Sequence, residues 1–299
     1  MRILHLLNWN LKDIENELEN IYYQGFDGIQ INPMQPLKSD DISTWWLSYQ
    51  PCGFRIGNQY GSKEDLISLC KKASLYNITI IADVICNHVA GANDGSLNPN
   101  PLVDPIIRDN PYFFKEQRNI NNWDNRFEVI HYCMGLPGLN VWNYDLQDII
   151  IDFLNELIDC GVNGFRFDAA KNIALPCEKC DFWPRVISSL KKYGLFLYGE
   201  VIFEERFRID DYANYIRVAT NSGCSNKELA VKYVENHDSF LDFGYTKMMT
   251  SKDVSAFYDK LTDEYNNTLY YARPFDDEWK SDMVKHANTK GQKVLRKTY

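Results

Sequence analysis

Eight short runs of branched and aromatic residues recur along the sequence, and most are followed by a longer stretch whose apolar residues return at helical spacing. The first run covers 2–7, and the helix expected over 11–23 carries Leu11, Ile14, Leu18, Ile21 and Tyr22 on one face. Further strands are expected at 28–31, 78–84, 162–167, 195–198, 215–218, 230–234 and 268–271. Helices are expected near 63–76, 147–160, 181–193, 252–265 and 278–290. Residues 219–229 are few and polar, so the sixth helix is expected to be small or absent. Strands that alternate with helices pair in parallel through right-handed crossovers, and eight such units close into a (β/α)8 TIM barrel.

The rhythm breaks once. Residues 89–145 hold five of the eleven prolines, many asparagines and little periodicity. A structureless loop of that length is unusual inside a compact domain. A small subdomain inserted after strand 3 accounts for it, which leaves 1–88 and 146–299 as the barrel.

Composition narrows the partners. The net charge of −9 argues against nucleic acid, which favours a basic surface. No run of 18 apolar residues is present, so no membrane span is expected. The first residues do not form a signal peptide, which makes the cytoplasm the expected compartment and reduced thiols the expected state of the eight cysteines. Cys177 and Cys180 have half of a zinc-binding spacing without a matching second half, and Cys70 and Cys86 fall in apolar patterns that suit buried thiols. Aromatics at 14% suit a protein that stacks rings on sugar faces, although most such rings in any fold serve the core.

In TIM barrels the chemistry lies at the C-terminal ends of the strands. Asp83, Asn87 and His88 end strand 3; Arg166, Asp168 and Lys171 end strand 4; Glu200 ends strand 5; Glu235, His237 and Asp238 end strand 7. Each has an ordinary structural explanation, such as an Asp capping the next helix. Four strand ends that all offer a carboxylate are harder to explain that way. Arg166 and Asp168 are two apart, so their side chains leave an extended strand on one side, where the guanidinium keeps the carboxylate ionised and oriented.

These residues resemble a known family. Asp83-Val84-Ile85-Cys86-Asn87-His88, Gly164-Phe165-Arg166-Phe167-Asp168-Ala169-Ala170-Lys171, Gly199-Glu200-Val201 and Val234-Glu235-Asn236-His237-Asp238-Ser239 resemble, in order, four signatures of the α-amylase family of glycoside hydrolases. Trp45-Trp46-Leu47-Ser48-Tyr49-Gln50-Pro51 is similar to the aromatic patch after its second strand. The resemblance implies a retaining α-glucan hydrolase with Asp168 as nucleophile, Glu200 as acid/base and Asp238 as the third carboxylate. Such an enzyme needs two carboxyl groups about 5 Å apart, and crowding of three should raise at least one pKa, with Glu200 required in its protonated form. The resemblance also implies sugar contacts for Tyr49, His88, Arg166, Lys171 and His237, with Trp45 and Trp46 as further platforms or as packing. Its substrates are starch, glycogen or maltodextrin.

The sequence departs from the family in three places. Asn172 stands where many members have His. Leu136-Pro137-Gly138-Leu139-Asn140 resembles a fifth signature, with Gly138 where an Asp usually ligates calcium; Asn87 matches another ligand. Calcium takes six to eight oxygens, so a weak site or none is expected. About 60 residues follow the fourth signature, which leaves no length for the family's usual C-terminal β-sandwich and makes a homo-oligomer one way to cover the exposed flank. A glucan transferase sharing the covalent intermediate and a non-catalytic glucan-binding homologue remain the alternatives.

Overall fold

The computed structural model describes residues 1–39, 42–202, 209–220, 224, 226–242, 257–258, 260–262 and 264–272. Its centre is a closed barrel of eight parallel strands in sequential order: β1 (Arg2–His5), β2 (Gly28–Ile31), β3 (Thr79–Val84), β4 (Gly164–Phe167), β5 (Phe196–Glu200), β6 (Arg217–Thr220), β7 (Ala230–Tyr233) and β8 (Asn267–Tyr271). β1 pairs with β8 to close it, with Arg2 opposite Thr268. This is the (β/α)8 barrel expected from the alternation. Most strand bounds move by one or two residues; where a strand is shorter than expected the apolar pattern outlasts the pairing, as at Leu6, Leu7 and Val162, which are buried but lie outside the strands.

Helices α1 (Leu11–Tyr23), α2 (Lys63–Ser74), α5 (Tyr144–Asp159), α6 (Phe182–Ser188) and the short α7 (Ile209–Tyr212) follow β1 to β5 on the outside. α1 buries Leu11, Ile14, Leu18 and Ile21 completely, and each such side chain contributes roughly 1.5–3 kcal/mol. A reciprocal cap starts α2, with the Asp65 amide donating to Ser62 Oγ and the Ser62 amide donating to Asp65 Oδ2. α6 stops at Ser188, five residues short of the expected end, and among the described residues no helix separates β6 from β7. Residues 257–258, 260–262 and 264 are helical, within the expected seventh helix. The expected helix at 278–290 lies outside the described residues.

Between β3 and α5 the chain uses its asparagines and aspartates as caps. Asp104 caps α3 (Pro105–Arg108), Asn110 caps the 3-10 turn Pro111–Phe113, and Asn125 caps α4 (Arg126–His131), each side chain accepting from the amide two residues on. A bridge between His88 and Gly138 ties this segment to the end of β3, and one between Phe114 and Leu139 joins two parts of the segment itself. Val103, Ile107, Phe113, Val129, Leu139 and Val141 join the same apolar core as the outer barrel face. Among the described residues no helix is long and apolar enough to cross a membrane.

Strand alternation divides the barrel interior into layers. Ile3, Ile81, Phe196, Val231 and Leu269 point inward from five strands and pack together as an apolar floor. Two residues further along, the inward positions are His5, Asp83, Tyr198, Tyr233 and Tyr271. Their neighbours Leu4, Ala82, Leu197 and Tyr270 face the helices.

Candidate active site

Arg166 is the hub of the polar layer. Its register partner across the β3–β4 ladder is Asp83, and its partner on β5 is Tyr198. Nη1 donates to Asp83 Oδ1 at 2.9 Å and Oδ2 at 3.0 Å, and to Asp168 Oδ1 at 2.7 Å. Nη2 lies 3.1 Å from Glu200 Oε1. The fixed fork of a guanidinium therefore holds the Asp168 and Glu200 carboxyl groups within about 8 Å of each other. Both stand on the C-terminal side of the barrel, as the strand-end argument requires.

The local backbone explains how they are held. The Asp168 amide donates to Val84 O at 2.9 Å, which carries the β3–β4 pairing one residue past the strand. Ala169 then adopts the left-handed region, at φ 46° and ψ 36°, a conformation that costs a non-glycine residue about 1 kcal/mol. This turn directs the Ala169 amide at Glu200 Oε2, 3.1 Å away. Gly199 makes the approach possible: a Cβ there would lie 2.5 Å from Ile216 Cδ1 and 2.7 Å from Ala170 Cβ.

Around the hub, Tyr49 donates its hydroxyl to Asp83 Oδ2 at 2.9 Å, and Gln30 Nε2 donates to the same oxygen at 3.2 Å. The Tyr198 hydroxyl donates to Gln30 Oε1. The Tyr49 ring stacks on His237, with centroids 4.8 Å apart and planes 5° from parallel, and Trp45 meets both edge-on. Trp45 is buried in this wall, whereas Trp46 is half exposed. His88 Nε2 lies 2.9 Å from Tyr49 O. Asp238 opens a π-helical turn, Asp238–Asp242, and its Oδ1 is 3.5 Å from His237 Nε2; single π-turns often mark functional positions. Lys171 lies beside the Trp123 ring, its ammonium 5.4 Å from the centroid. The expected site residues thus stand at this end of the barrel or on its rim, with Asp238 in the turn that follows β7.

Burial and charge set the protonation states. Burial raises Asp83 to about 7 against the pull of Arg166, with the Asp168 charge adding to the rise. Asp168 is raised by burial and by Glu200, again against Arg166. Burial also pushes Glu200 up, but Arg166, Lys171 and the Ala169 amide outweigh it and its pKa ends lowered. Crowding thus adds to a rise that burial begins, whereas Glu200, expected to be protonated when substrate arrives, is pushed the other way by the guanidinium it contacts here. Burial drives His237 down to about 3 with Arg166 reinforcing, and it lowers His88 and His5 as well, so all three imidazoles are neutral.

Sequence reading missed His5, Gln30 and Tyr198. Their signal was the period of two: each occupies the inward position two residues beyond an inward position of the floor layer. Both ring nitrogens of His5 and Nδ1 of His237 are buried without a hydrogen-bond partner among the described residues. They border a cavity of about 20 Å³ also lined by Gln30, Arg166, Tyr198 and Glu200, room for about one water molecule.

The calcium that the resemblance implies does not fit the residues present. Position 138 offers no side chain, and Asn87 Oδ1 accepts a hydrogen bond from Lys115 Nζ at 2.8 Å. Elsewhere, all eight cysteines are free thiols, with Cys70, Cys86 and Cys180 buried and Cys177 exposed. Among the described residues no three His, Cys, Asp or Glu side chains are grouped to hold a metal ion.

With this geometry in hand, comparison with known proteins is direct. Residues 9–269 match the family model described as alpha amylase, catalytic domain. An α-amylase of Clostridium acetobutylicum is 36% identical over 243 residues, covering 77% of this chain and 32% of that protein. An α-amylase-related protein of Drosophila jambulina is 28% identical over 287 residues, covering 81% of this chain and 58% of that one. The chain thus spans well under two thirds of the length of these relatives. Among solved structures, an α-amylase I of Eisenia fetida in complex with maltohexaose aligns with a TM-score of 0.74 at 21% identity, covering 91% of this chain and 66% of that one. An α-amylase of Geobacillus thermoleovorans complexed with acarbose aligns at 0.73 and 18% identity, over 90% and 69%. Both share the fold.

Proposed function

Because this chain belongs to the α-amylase family of glycoside hydrolases, we propose that it cleaves α-1,4-glucosidic bonds in starch, glycogen or maltodextrin with retention of configuration. The observation that carries the reading is the shared guanidinium, which brings Asp168 and Glu200 together at the mouth of the barrel. That arrangement admits the ~5 Å carboxyl spacing of retaining enzymes.

Asp168 attacks the anomeric carbon while Glu200 protonates the departing glycosidic oxygen, giving a glycosyl ester on Asp168. Glu200 then takes a proton from water as its oxygen attacks the same carbon, releasing the sugar and freeing Asp168. Arg166 keeps Asp168 ionised and aimed. Glu200 must first leave Arg166 and take up a proton; a sugar that displaces water around it raises its pKa in that direction. Asp238, His237 and His88 bind hydroxyls; the Nε2–H of neutral His88 is held by Tyr49 O, which leaves its Nδ1 as an acceptor, and neutral His237 offers one donor and one acceptor. Lys171 binds the next sugar, and Trp46 offers an exposed ring face.

The test is product analysis from maltoheptaose with the wild type, Asp168→Asn and Glu200→Gln. The reading expects shorter maltooligosaccharides, released first as the α-anomer in proton NMR, and loss of turnover of at least about a thousandfold in each variant. A β-anomer first product would refute retention. Turnover equal to that of the variants would leave a glucan-binding protein, and oligomers longer than seven units would identify a transferase.

A further inference from the structure

Lys115 is a buried lysine in the segment between β3 and α5. Its backbone amide donates to Gly138 O at 2.8 Å. Its side chain then runs across Gly138 into the barrel wall. There Nζ donates to Asn87 Oδ1 at 2.8 Å and to Asn172 O at 3.1 Å. Those two acceptors follow different strands, Asn87 after β3 and Asn172 after β4. Each sits next to a residue of the proposed site, His88 and Lys171. One ammonium therefore joins three segments that are far apart in sequence.

Gly138 belongs to the same device. A Cβ at that position would lie 2.9 Å from Lys115 Cδ and 3.4 Å from Cγ. The lysine stem fills the volume that a side chain at 138 would need. A side chain at 138 would therefore have to displace the lysine stem from its present path. The residues around Asn87 supply oxygen acceptors from a side-chain amide and a main-chain carbonyl, which suit a cation; the lysine, whose pKa burial lowers to about 7, supplies that charge in its protonated form.

We propose that the Lys115 ammonium stands in for a metal ion: it cross-braces the segment 89–145 to the ends of β3 and β4, so that the protein is held together at this point without calcium. Lys115 is a positioning residue, acting on His88 and Lys171 through their neighbours. The inference does not depend on the catalytic reading, because its measurements are metal content and melting.

The experiment uses the full chain, dialysed against metal-free buffer. Wild type should hold less than 0.1 equivalents of calcium by elemental analysis, and its Tm should move by less than about 1 °C between EDTA and 5 mM calcium chloride, since a ligand that binds only the folded form would raise it. The Lys115→Met variant should melt at least about 4 °C lower, with no recovery on adding calcium because position 138 still lacks a ligand. Lys115→Ala combined with Gly138→Asp should melt low in EDTA and regain at least half the loss in calcium. Stoichiometric calcium in the wild type, or a fall in its Tm in EDTA that calcium reverses, overturns the proposal whatever the variants do. A Lys115→Met chain that melts with the wild type overturns the bracing role. If that variant does not fold, Lys115→Arg, which keeps the charge, is expected to fold and remain indifferent to chelation; calcium dependence in it counts against the proposal.

Discussion

Replacing Arg166 with Met removes the guanidinium that Asp83, Asp168 and Glu200 share, in a site where the arginine and all three carboxyl groups are largely excluded from water. Withdrawing one partner of a buried ion pair costs about 3–5 kcal/mol. For a domain of this size each kcal/mol shifts Tm by roughly 2–4 °C, so the variant should melt roughly 6–20 °C below the wild type at pH 8. The loss should shrink with acid. Without Arg166 each carboxyl loses its adjacent cation and its pKa rises. A carboxyl raised above its unfolded value binds more protons in the folded protein. Its stabilising contribution is complete below the unfolded pKa and disappears as pH climbs through the folded one. At pH 5 protons replace the missing cation, and the deficit should be about half that at pH 8 or less. The wild type already shows the same sign in milder form through Asp83, whose stability contribution fades between its ordinary 3.8 and about 7. Glu200 works in the opposite sense: its lowered pKa adds stability above the ordinary value, and that is lost in acid. Thermal melts at pH 5 and pH 8, with Arg166→Lys as a variant that keeps charge but not the fork, measure the difference directly. Equal deficits at the two pH values, in variants that still melt cooperatively, would refute the shared-cation account.

Gly199→Ala should cost about 1–3 kcal/mol by overpacking, because its Cβ would meet Ile216 Cδ1 at 2.5 Å; adding Ile216→Val should recover part of the loss, and a denaturant titration showing no loss would contradict the close approach of β5 to the Ala169 turn. Arg126 pairs with Glu178 at 2.7 and 2.8 Å and donates to the Tyr212 hydroxyl and Lys171 O, so Arg126→Met should lower stability by about 3 kcal/mol; an unchanged midpoint in urea would show that pairing to be idle. Trp46→Ala should leave Tm unaltered and weaken maltoheptaose binding by roughly 2–12-fold, the worth of an aromatic face at ~0.5–1.5 kcal/mol. Calorimetry on the Glu200→Gln background reads that affinity, and identical Kd values would remove Trp46 from the sugar path.

Much of this was legible because strands and helices write their faces into the sequence. Period-two alternation puts Arg166 and Asp168 on one side of β4, and 3.6-residue spacing marks α1 through Leu11, Ile14, Leu18 and Ile21. The four strand-end motifs then picked out residues that the fold brings to one end of the barrel. What stayed hidden depends on contacts between distant residues. Lys115 stands in a segment without periodicity, where a lone lysine reads as solvated; only the fold brings it to Asn87 and Asn172. The Arg126–Glu178 pair spans 52 residues, and neither member carries a local signal. The π-turn at Asp238 has no composition that announces it. The direction of the Glu200 shift depended on which carboxyls the Arg166 fork reaches, and spacing along the chain cannot supply that.

The apolar floor beneath the carboxyl layer makes the barrel a cul-de-sac. Whatever reaches Arg166 enters and leaves by one doorway, so under the proposed function a long polymer would lie across the rim and would not thread along the axis. Incoming water shares that doorway with the outgoing chain. For an enzyme built this way, the dwell time of the departing segment on the rim governs whether water or a second sugar arrives next. The balance of hydrolysis against transfer is then a traffic problem at the entrance.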